Sequence, residues 1–338
     1  MTIERNGRRH GGLWGPVLAG LVMLGGAVTP LGAQASFDWL SDAAHPRGMA
    51  LANAGIAAGG PTEGLGLNPA GLVWGRAPEV GASRSLVLVL RRYPADINLQ
   101  LTRIVLPLGG QMLGFEILRL DYGTFAGYDN EGFQTGDYTA QDILIRAGLT
   151  RRLGRFLSVG VSLGGVHSNL AEVQFNAALW SFGARLEVRP LGAQLGVVVQ
   201  NQGTLYAGTE SGGVPGELPT IWLVGLAKSL AYLPLTYYVA VGRNVTTGDP
   251  VWRLGGEFRL GRLLLRVGVD QGKRDYARGS ASADLFSGFA LGVGIRPKRR
   301  AALPTAGQRQ PLDISLDGAV KLLGPLGYST ALALGLQF

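Results

Sequence analysis

From about Glu79 to the C-terminus, the sequence is a series of short segments in which apolar residues occupy every second position. In residues 262–270, "RLLLRVGVD", one face carries leucine and valine, while the other carries mostly charged and small residues. Residues 156–164 ("FLSVGVSLG"), 252–260 ("WRLGGEFRL") and 311–323 ("PLDISLDGAVKLL") repeat this pattern. A period of two residues is the period of a β-strand. The pattern therefore predicts an all-β protein.

Alternation alone fits both a soluble sandwich, with apolar faces inward, and a transmembrane barrel, with apolar faces outward. Three features favour the barrel. The polar face is mostly Gly, Ser and Ala, and glycine makes up 54 of 338 residues, while charged residues are only 16% against the usual ~25%. The segments run about 10–13 residues, near the ~9–11 of a tilted spanning strand. The chain ends in "GYSTALALGLQF" with a terminal aromatic residue, Phe338.

We count fourteen candidate strands, at residues 79–90, 97–107, 111–121, 139–150, 155–168, 172–188, 193–203, 219–230, 235–244, 251–260, 262–271, 285–296, 311–322 and 328–338. The prediction is a transmembrane antiparallel β-barrel spanning residues 79–338. An even number of strands places both termini on the periplasmic side of an outer membrane. Residues 122–138, 204–218 and 272–284 are then expected to be long outer loops.

The N-terminal residues 1–35 are typical of a secretory signal peptide. Arg5, Arg8 and Arg9 precede the apolar stretch 13–28, and "AQA" at residues 33–35 matches a small-residue cleavage site. The alternative is a transmembrane anchor, but the apolar stretch is short for one and contains Gly and Pro. The sequence has no cysteine, which excludes disulfides, thiolate metal sites and a cysteine nucleophile.

Residues 36–78 do not alternate, and we expect them to form a plug inside the barrel. They include "GLGLNPAGL" at residues 64–72. This segment is not a dinucleotide loop, because the third glycine comes too late and Pro69 disfavours a helical conformation at Asn68. The expected hatch motif is Asn68, Pro69, Ala70 and Gly71. We favour a structural role for it, as a rigid turn, over a gating role.

The order "RGMALANAGIAAGG…GLGLNPAGL" (residues 47–72), ahead of a fourteen-strand pattern, resembles the FadL superfamily of outer-membrane proteins. Within it, "SFDWL…AHPRGMALANAG" resembles the PorV/PorQ branch. The segments 120–142 and 217–244 are more similar to PorQ than to PorV. The resemblance covers essentially the whole chain after the signal peptide.

The resemblance implies a non-enzymatic component of type IX protein secretion and cell-surface attachment. Its partners would be PorU- or PorZ-type proteins or the signal domains of cargo, with outer-membrane lipid and lipopolysaccharide around the barrel. Phe338 would be the signal for the barrel assembly machinery. No cofactor is expected. The alternative function is a FadL-like channel for the uptake of hydrophobic small molecules, which should have an apolar pocket and a kinked strand opening sideways to lipid.

Charged residues on the polar faces are expected to form a network in the lumen that holds the plug, because buried charges must be paired. The predicted members are Asp142, Arg146, Arg253, Glu257, Arg262, Arg266, Asp313 and Asp317, with Arg259, Asp270 and Lys321 as further candidates.

The sequence predicts neither a catalytic site nor a metal site. His167 and Ser168 are adjacent, but no hydrolase motif accompanies them, and no residue spacing matches a metal site. Asp129, Asn130, Glu131 and Asp137 are interpreted as part of a solvated partner-binding loop. The net charge of +8 is spread over many strands, so we predict no nucleic-acid binding.

Overall fold

The structure, a computed structural model, describes residues 37–73, 84–170, 173–207, 216–270, 286–296 and 312–338. The expected signal peptide (1–35) lies outside the described residues, as do most of the loops predicted at 204–218 and 272–284.

Fourteen antiparallel strands close into a barrel in which each strand pairs with its sequence neighbours and the last strand pairs with the first. The strands are β1 (Ser85–Arg92), β2 (Asn98–Leu108), β3 (Gln111–Tyr128), β4 (Gln134–Leu153), β5 (Leu157–Leu170), β6 (Val173–Val188), β7 (Ala193–Ala207), β8 (Ile221–Ser229), β9 (Leu235–Asn244), β10 (Pro250–Leu260), β11 (Leu263–Asp270), β12 (Phe289–Ile295), β13 (Asp313–Leu322) and β14 (Tyr328–Gln337). Each overlaps one predicted strand, in the predicted order. The predicted fold class is confirmed.

The burial pattern shows which way the faces point. On β11, Leu263, Leu265 and Val267 are exposed on the outer wall, whereas Leu264, Arg266 and Asp270 are buried inside. β13 repeats this, with Ile314 and Leu316 outside and Lys321 inside. The apolar face is therefore outward, as in a barrel surrounded by lipid and opposite to a soluble sandwich.

The two ends of the barrel differ. At one end, which we call the turn end, β1 begins, β14 ends, and tight connections such as Gly109–Gly110 join the strands. At the other, the loop end, the strands β3 and β4 extend beyond their predicted limits. The expected loop 122–138 is instead mostly strand, and only residues 129–133 form the connection. Asp137 lies on β4 opposite Ala126.

The β3–β4 hairpin departs from the prediction for a physical reason. Aromatic and β-branched residues, which favour strands, are spread between the glycines and acids of 122–138. Bulges at Asp121/Gly123 and Gly127/Tyr128 absorb the irregular spacing. Gly123 supplies the positive φ of 93° that the first bulge requires.

Residues 37–73 lie inside the barrel as short helical turns. Helix α1 (Pro46–Ala50) packs against β11–β14, a 3-10 turn (Gly55–Ala57) against β7–β9, and another (Pro69–Leu72) against β3–β6. A further helical turn, α2 (Gly64–Leu67), precedes the last of these. This segment, which we call the plug, touches almost the whole circumference of the wall. Among the described residues, no helix has the length and apolar character needed to cross a membrane.

Candidate functional site

The hatch motif lies deep in the lumen and connects the plug to four strands. Asn68 Oδ1 accepts a hydrogen bond from Ala70 N at 3.0 Å, so Asn68 caps the turn Pro69–Leu72. Its Nδ2 donates to Ile56 O at 3.0 Å and lies 3.4 Å from the carbonyl oxygens of Ala184 on β6 and Val197 on β7.

The next two residues of the motif hold the turn to the wall. The Thr150 hydroxyl of β4 donates to Pro69 O, and the Ser158 hydroxyl of β5 donates to Ala70 O at 3.2 Å. Two wall glycines make this close approach possible. A Cβ on Gly160 would overlap the backbone of Pro69 and Ala70, and a Cβ on Gly183 would overlap Asn68 Oδ1. The motif therefore packs the plug directly against the backbone of wall strands, at positions where glycine leaves no side chain in between.

A chain of buried ion pairs connects α1 to the adjacent wall strands β10, β11 and β13. Arg47 contacts Glu63 of the plug and Glu257 of β10, at 2.9 Å in both cases. Arg266 of β11 donates to Glu257 at 2.7 Å and to Asp317 of β13 at 2.6 Å. Because positive and negative groups alternate, each of these carboxylates and guanidinium groups has a partner of opposite charge inside the lumen. An unpaired charge there would be costly.

A second cluster lies on the β2–β4 wall. Arg103 of β2 is ion-paired with Glu116 of β3 and donates to Thr62 O in the plug. Arg146 of β4 lies 3.8 Å from Glu116 and donates to Leu65 O at 3.0 Å. The wall arginines thus donate hydrogen bonds to carbonyl oxygens of the plug and also interact with carboxylates of the wall.

A third cluster lies near the loop end. Asp42 of the plug accepts from Arg91 of β1 at 2.7 Å and from Lys321 of β13 at 2.9 Å. At the same end of the barrel, Arg253 of β10 is 3.4 Å from Asp270 of β11.

The predicted network residues do not all join these clusters. Arg146, Arg253, Glu257, Arg266 and Asp317 do. Arg262 is instead exposed in the turn between β10 and β11. It precedes the first residue of β11, so the alternation of that strand does not direct it into the lumen. Asp313 is half-buried at the turn end and Arg259 is exposed at the same rim.

The plug partners were missed by sequence reasoning. These are Asp42, Arg47 and Glu63, and the wall residues Arg91, Arg103 and Glu116 were missed with them. Arg47 stands inside the family-like segment 47–72, but nothing in the sequence shows which wall residue faces it. Phe338 lies at the turn end, where its N–H donates to Arg84 O at 3.0 Å and continues the β1–β14 pairing.

The lumen is not polar throughout, contrary to the expectation of a plugged, polar interior. Towards the loop end, the inner wall on the side of β1–β6 is largely apolar and forms one cluster. Its wall members are Val87, Val89, Leu99, Leu101, Leu118, Leu120, Leu144, Val166, Ala177, Leu179 and Ala333. These side chains are at most 5% exposed, so the region is packed rather than empty. We call it the apolar chamber. The first described residues of the plug, Phe37, Trp39 and Leu40, pack against it.

Among the described residues, which leave out 208–215, the strand pairing next to the chamber is interrupted. β7 pairs with β8 only as far as Gln200↔Ile221, although β7 continues to Ala207. Beyond Gln200, β7 pairs with β6 alone among the described residues. A cavity of about 380 Å³ lies at this place, lined by residues 202–205 and 216–218 with Thr220, Val245 and Thr246. Because Leu205 and Leu218 belong to the chamber cluster, this opening, which we call the side opening, adjoins the chamber.

A β-bulge produces the divergence. The register between β6 and β7 shifts at Trp180/Phe182, so Gln200 and Asn201 both face inward opposite Ser181. Asn201 has a φ of 55°, a conformation that asparagine tolerates better than most residues. Its Nδ2 donates to Leu40 O at 3.1 Å and its Oδ1 accepts from Arg146 at 3.3 Å. The bulge is therefore held directly by the plug.

At the turn end, a larger cavity of about 860 Å³ is lined by Arg47, Arg152, Arg185 and Arg259, with Glu187 and Glu257. This vestibule is strongly charged, in contrast to the chamber. The plug lies between the two, and Val87 of β1 borders both.

The residues considered for catalysis do not come together. His167 is exposed on the outer face of β5, where its Nδ1 lies 2.9 Å from Asn176 Oδ1, whereas Ser168 is fully buried inside. Alternation places adjacent strand residues on opposite faces, so these two cannot form a dyad. Among the described residues, no group of three or more potential ligands is placed to bind a metal. Asp129 instead accepts from the backbone N–H groups of Glu131 and Phe133 and stabilises the hairpin turn.

The architecture defines a class of protein: a closed fourteen-stranded antiparallel barrel with an apolar outer wall and a plug in its lumen. Two solved structures have a similar fold. The chain is similar to the toluene transporter TodX of Pseudomonas putida, with 14% identity, a TM-score of 0.51, and coverage of 91% of this chain and 98% of TodX. It is equally similar to the toluene transporter TbuX of Ralstonia pickettii, with 14% identity, a TM-score of 0.51, and coverage of 89% and 98%.

A FadL homologue of Pseudomonas aeruginosa matches with 11% identity, a TM-score of 0.45, and coverage of 90% and 98%. At these identities, the likeness to TodX and TbuX establishes the fold alone. No family model and no curated protein matches the sequence. Nothing found supports the narrower relation to PorV and PorQ.

Proposed function

We propose that the chain is an outer-membrane channel through which small hydrophobic molecules pass. The observation that carries the proposal is the side opening between β7 and β8, which adjoins an apolar chamber inside an otherwise closed wall. These are the two features expected of a transporter. The similarity of the fold to two toluene transporters supports it.

The geometry suggests a path. A hydrophobic molecule entering at the loop end would exchange water for the leucine and valine side chains of the chamber, which is favourable in proportion to the apolar area buried. The plug and its ion pairs block the way down the lumen, and the vestibule below is charged. Movement through the side opening would lead the molecule sideways out of the chamber, past Leu205 and Leu218 and past polar residues such as Gln202 and Glu217.

The test is uptake of radiolabelled toluene into liposomes that contain the purified full-length protein. Thr204→Trp places a large side chain at the side opening, and we expect it to lower uptake at least ~5-fold. Thr124→Trp is the matched control, because Thr124 is exposed on the β3–β4 hairpin away from the opening. The proposal is wrong if the wild-type protein transports no more than empty liposomes.

The PorV/PorQ resemblance leads to a different function, a secretion and attachment component that binds PorU- or PorZ-type proteins or cargo signal domains. No specific feature of the described residues favours it over transport. A pull-down of the tagged barrel from its native outer membrane separates the two. Recovery of a surface protein or cargo domain, together with absence of toluene uptake, would replace the channel proposal with this one.

A further inference from the structure

We propose that Asp142 recognises a ligand in the apolar chamber, and that the ligand is a neutral apolar molecule carrying one hydrogen-bond donor, such as a phenol or an indole. In this structure Trp39 of the plug occupies that place. The inference rests on the proposed channel function and specifies the class of molecule that the chamber selects.

Asp142 is an unusual residue for its surroundings. It is buried, with 1% of its surface exposed, and it lies on the inner face of β4 with Leu120 of β3 and Ser168 of β5 as its cross-strand neighbours. Leu120 and Leu144 beside it belong to the chamber cluster. Unlike the other buried carboxylates of the wall, Asp142 is in no ion pair among the described residues. An acidic side chain is costly in such a place unless it has donors.

The donors that Asp142 has are both neutral and both aromatic. Trp39 Nε1 donates to Oδ2 at 2.9 Å, and the Tyr122 hydroxyl donates to the same oxygen at 2.7 Å. The other oxygen, Oδ1, is buried and has no hydrogen-bond partner among the described residues. The facing Ser168 hydroxyl is likewise buried and unpaired within the described chain. The site therefore has unused capacity to accept a hydrogen bond.

Trp39 has the chemistry of the proposed ligand. Its ring packs against the leucines and valines of the chamber, and its single N–H meets the carboxylate. It stands on a short 3-10 turn (Asp38–Ser41) near the described start of the plug. Trp39 and Tyr122 are half-buried, whereas Asp142 is buried beneath them, so a ligand reaches the carboxylate only when Trp39 moves away. An aromatic molecule with a hydroxyl or N–H can replace Trp39 and keep both the apolar contact and the hydrogen bond.

The arrangement predicts selectivity. When a ligand displaces Trp39, Asp142 loses a donor. Phenol returns one, whereas toluene, of similar size and shape, does not. A hydrogen bond to a charged group is worth enough to change affinity about tenfold or more. We therefore expect the chamber to prefer phenol to toluene by at least ~10-fold, after correction for partitioning into lipid.

The test is equilibrium dialysis of radiolabelled phenol and toluene against the full-length protein in lipid nanodiscs, with empty nanodiscs as the partition reference. Asp142→Asn is expected to reduce the preference to ~3-fold or less while toluene still binds. Trp39→Phe keeps the ring but removes the N–H. It should strengthen the binding of both ligands by a similar factor, about tenfold, and leave the preference unchanged, because displacing residue 39 then costs no hydrogen bond.

Asp137→Asn is the control, since it makes the same change at an exposed aspartate of the same strand, β4, and it should keep the preference. A shift in gel mobility on boiling checks that each variant forms the barrel. A preference that survives Asp142→Asn, or unchanged affinities in Trp39→Phe, would overturn this inference alone. If neither ligand binds the wild-type protein and toluene uptake is also absent, the channel function itself fails.

Discussion

Glu257 is the carboxylate on which two arginines from different parts of the chain converge. It accepts from Arg47 of the plug and from Arg266 of the wall, and it is almost completely buried. Removing its charge leaves two buried guanidinium groups with one carboxylate fewer. Breaking a buried ion pair in this way costs about 3–5 kcal/mol.

We therefore expect Glu257→Gln to loosen the plug. Because the sequence has no cysteine, a single cysteine introduced at the fully buried Ala54 reports plug opening by its rate of maleimide labelling. The rate should rise about 100-fold. Asp96→Asn is the control, because the Arg92–Asp96 pair is exposed and such pairs contribute little. Equal rates in all three proteins would contradict the role given to Glu257.

His45 makes the stability of the plug depend on pH. Its Nδ1 accepts from Arg47 N at 3.1 Å and caps α1. Burial lowers the pKa of His45 from 6.5 to about 3, against the opposing effect of Glu63. The native plug keeps the ring neutral while the unfolded chain takes up a proton below pH 6.5. This contribution to stability is complete above pH 6.5 and is lost as pH falls towards 3.

The free energy that stabilises the plug should fall by at most about 1.4 kcal/mol for each pH unit between these limits. His45→Asn retains a side chain that caps helices but does not titrate. Hydrogen exchange of peptides from residues 37–73, corrected for the intrinsic effect of pH, should therefore show less destabilisation by acid in the variant than in the wild-type protein. Identical profiles would show that another group is responsible.

At the scale of elements, the bulge on β7 determines where the wall opens. Two consecutive residues, Gln200 and Asn201, face one residue of β6, and β7 then leaves β8. Deleting Asn201 removes the extra residue, so the pairing of β7 with β6 becomes regular and β8 can continue alongside. We expect toluene uptake to fall about tenfold in the deletion variant.

Asn201→Gly is the matched control for the bulge. Glycine adopts the positive φ readily, so the bulge and the side opening remain, while the hydrogen bonds to Leu40 and Arg146 are lost. Uptake should stay near the wild-type level or rise. If the deletion and the substitution have the same effect, the contacts of the Asn201 side chain matter rather than the bulge.

At the scale of the whole molecule, closure of the barrel depends on the pairing of the last strand with the first. β14 pairs with β1 along eight residues, and Phe338 continues this pairing to Arg84. If Phe338 is also the residue that the assembly machinery recognises, Phe338→Ser should lower the folded yield in the outer membrane several-fold. Tyr328→Ser alters an exposed aromatic residue at the other end of the same strand and should have little effect. Folded yield is measured as the fraction whose gel mobility changes on boiling.

Much of the fold could be predicted from the sequence, because lipid outside and a crowded lumen inside impose opposite chemistry on alternate residues. β11 and β13 show this clearly. β1 does not, since "LVLVL" (residues 86–90) is apolar on both faces, and only the structure shows that Val87 and Val89 line the chamber. The β3–β4 hairpin was mistaken for a loop because its bulges interrupt the period of two.

The candidate site was accessible to sequence reasoning only in part. Charges on the wall strands could be assigned to the lumen from alternation, and Arg266 and Asp317 were found that way. Their partners in the plug could not, because the plug has no period and its turns meet the wall across long sequence separations, as Arg47 meets Glu257. The side opening depends on one extra residue in β7, which no local pattern reveals.

The sequence by itself determined the class of fold, the strand order and which face of most strands turns to lipid, since these follow from local alternation and from turn residues. The tertiary structure alone decided which charges pair, that the inner wall of β1–β6 is largely apolar towards the loop end, that Trp39 meets Asp142 and that β7 pairs with β8 only as far as Gln200. Each of these depends on the closure of the barrel around residues 37–73, which brings together side chains that are far apart along the chain.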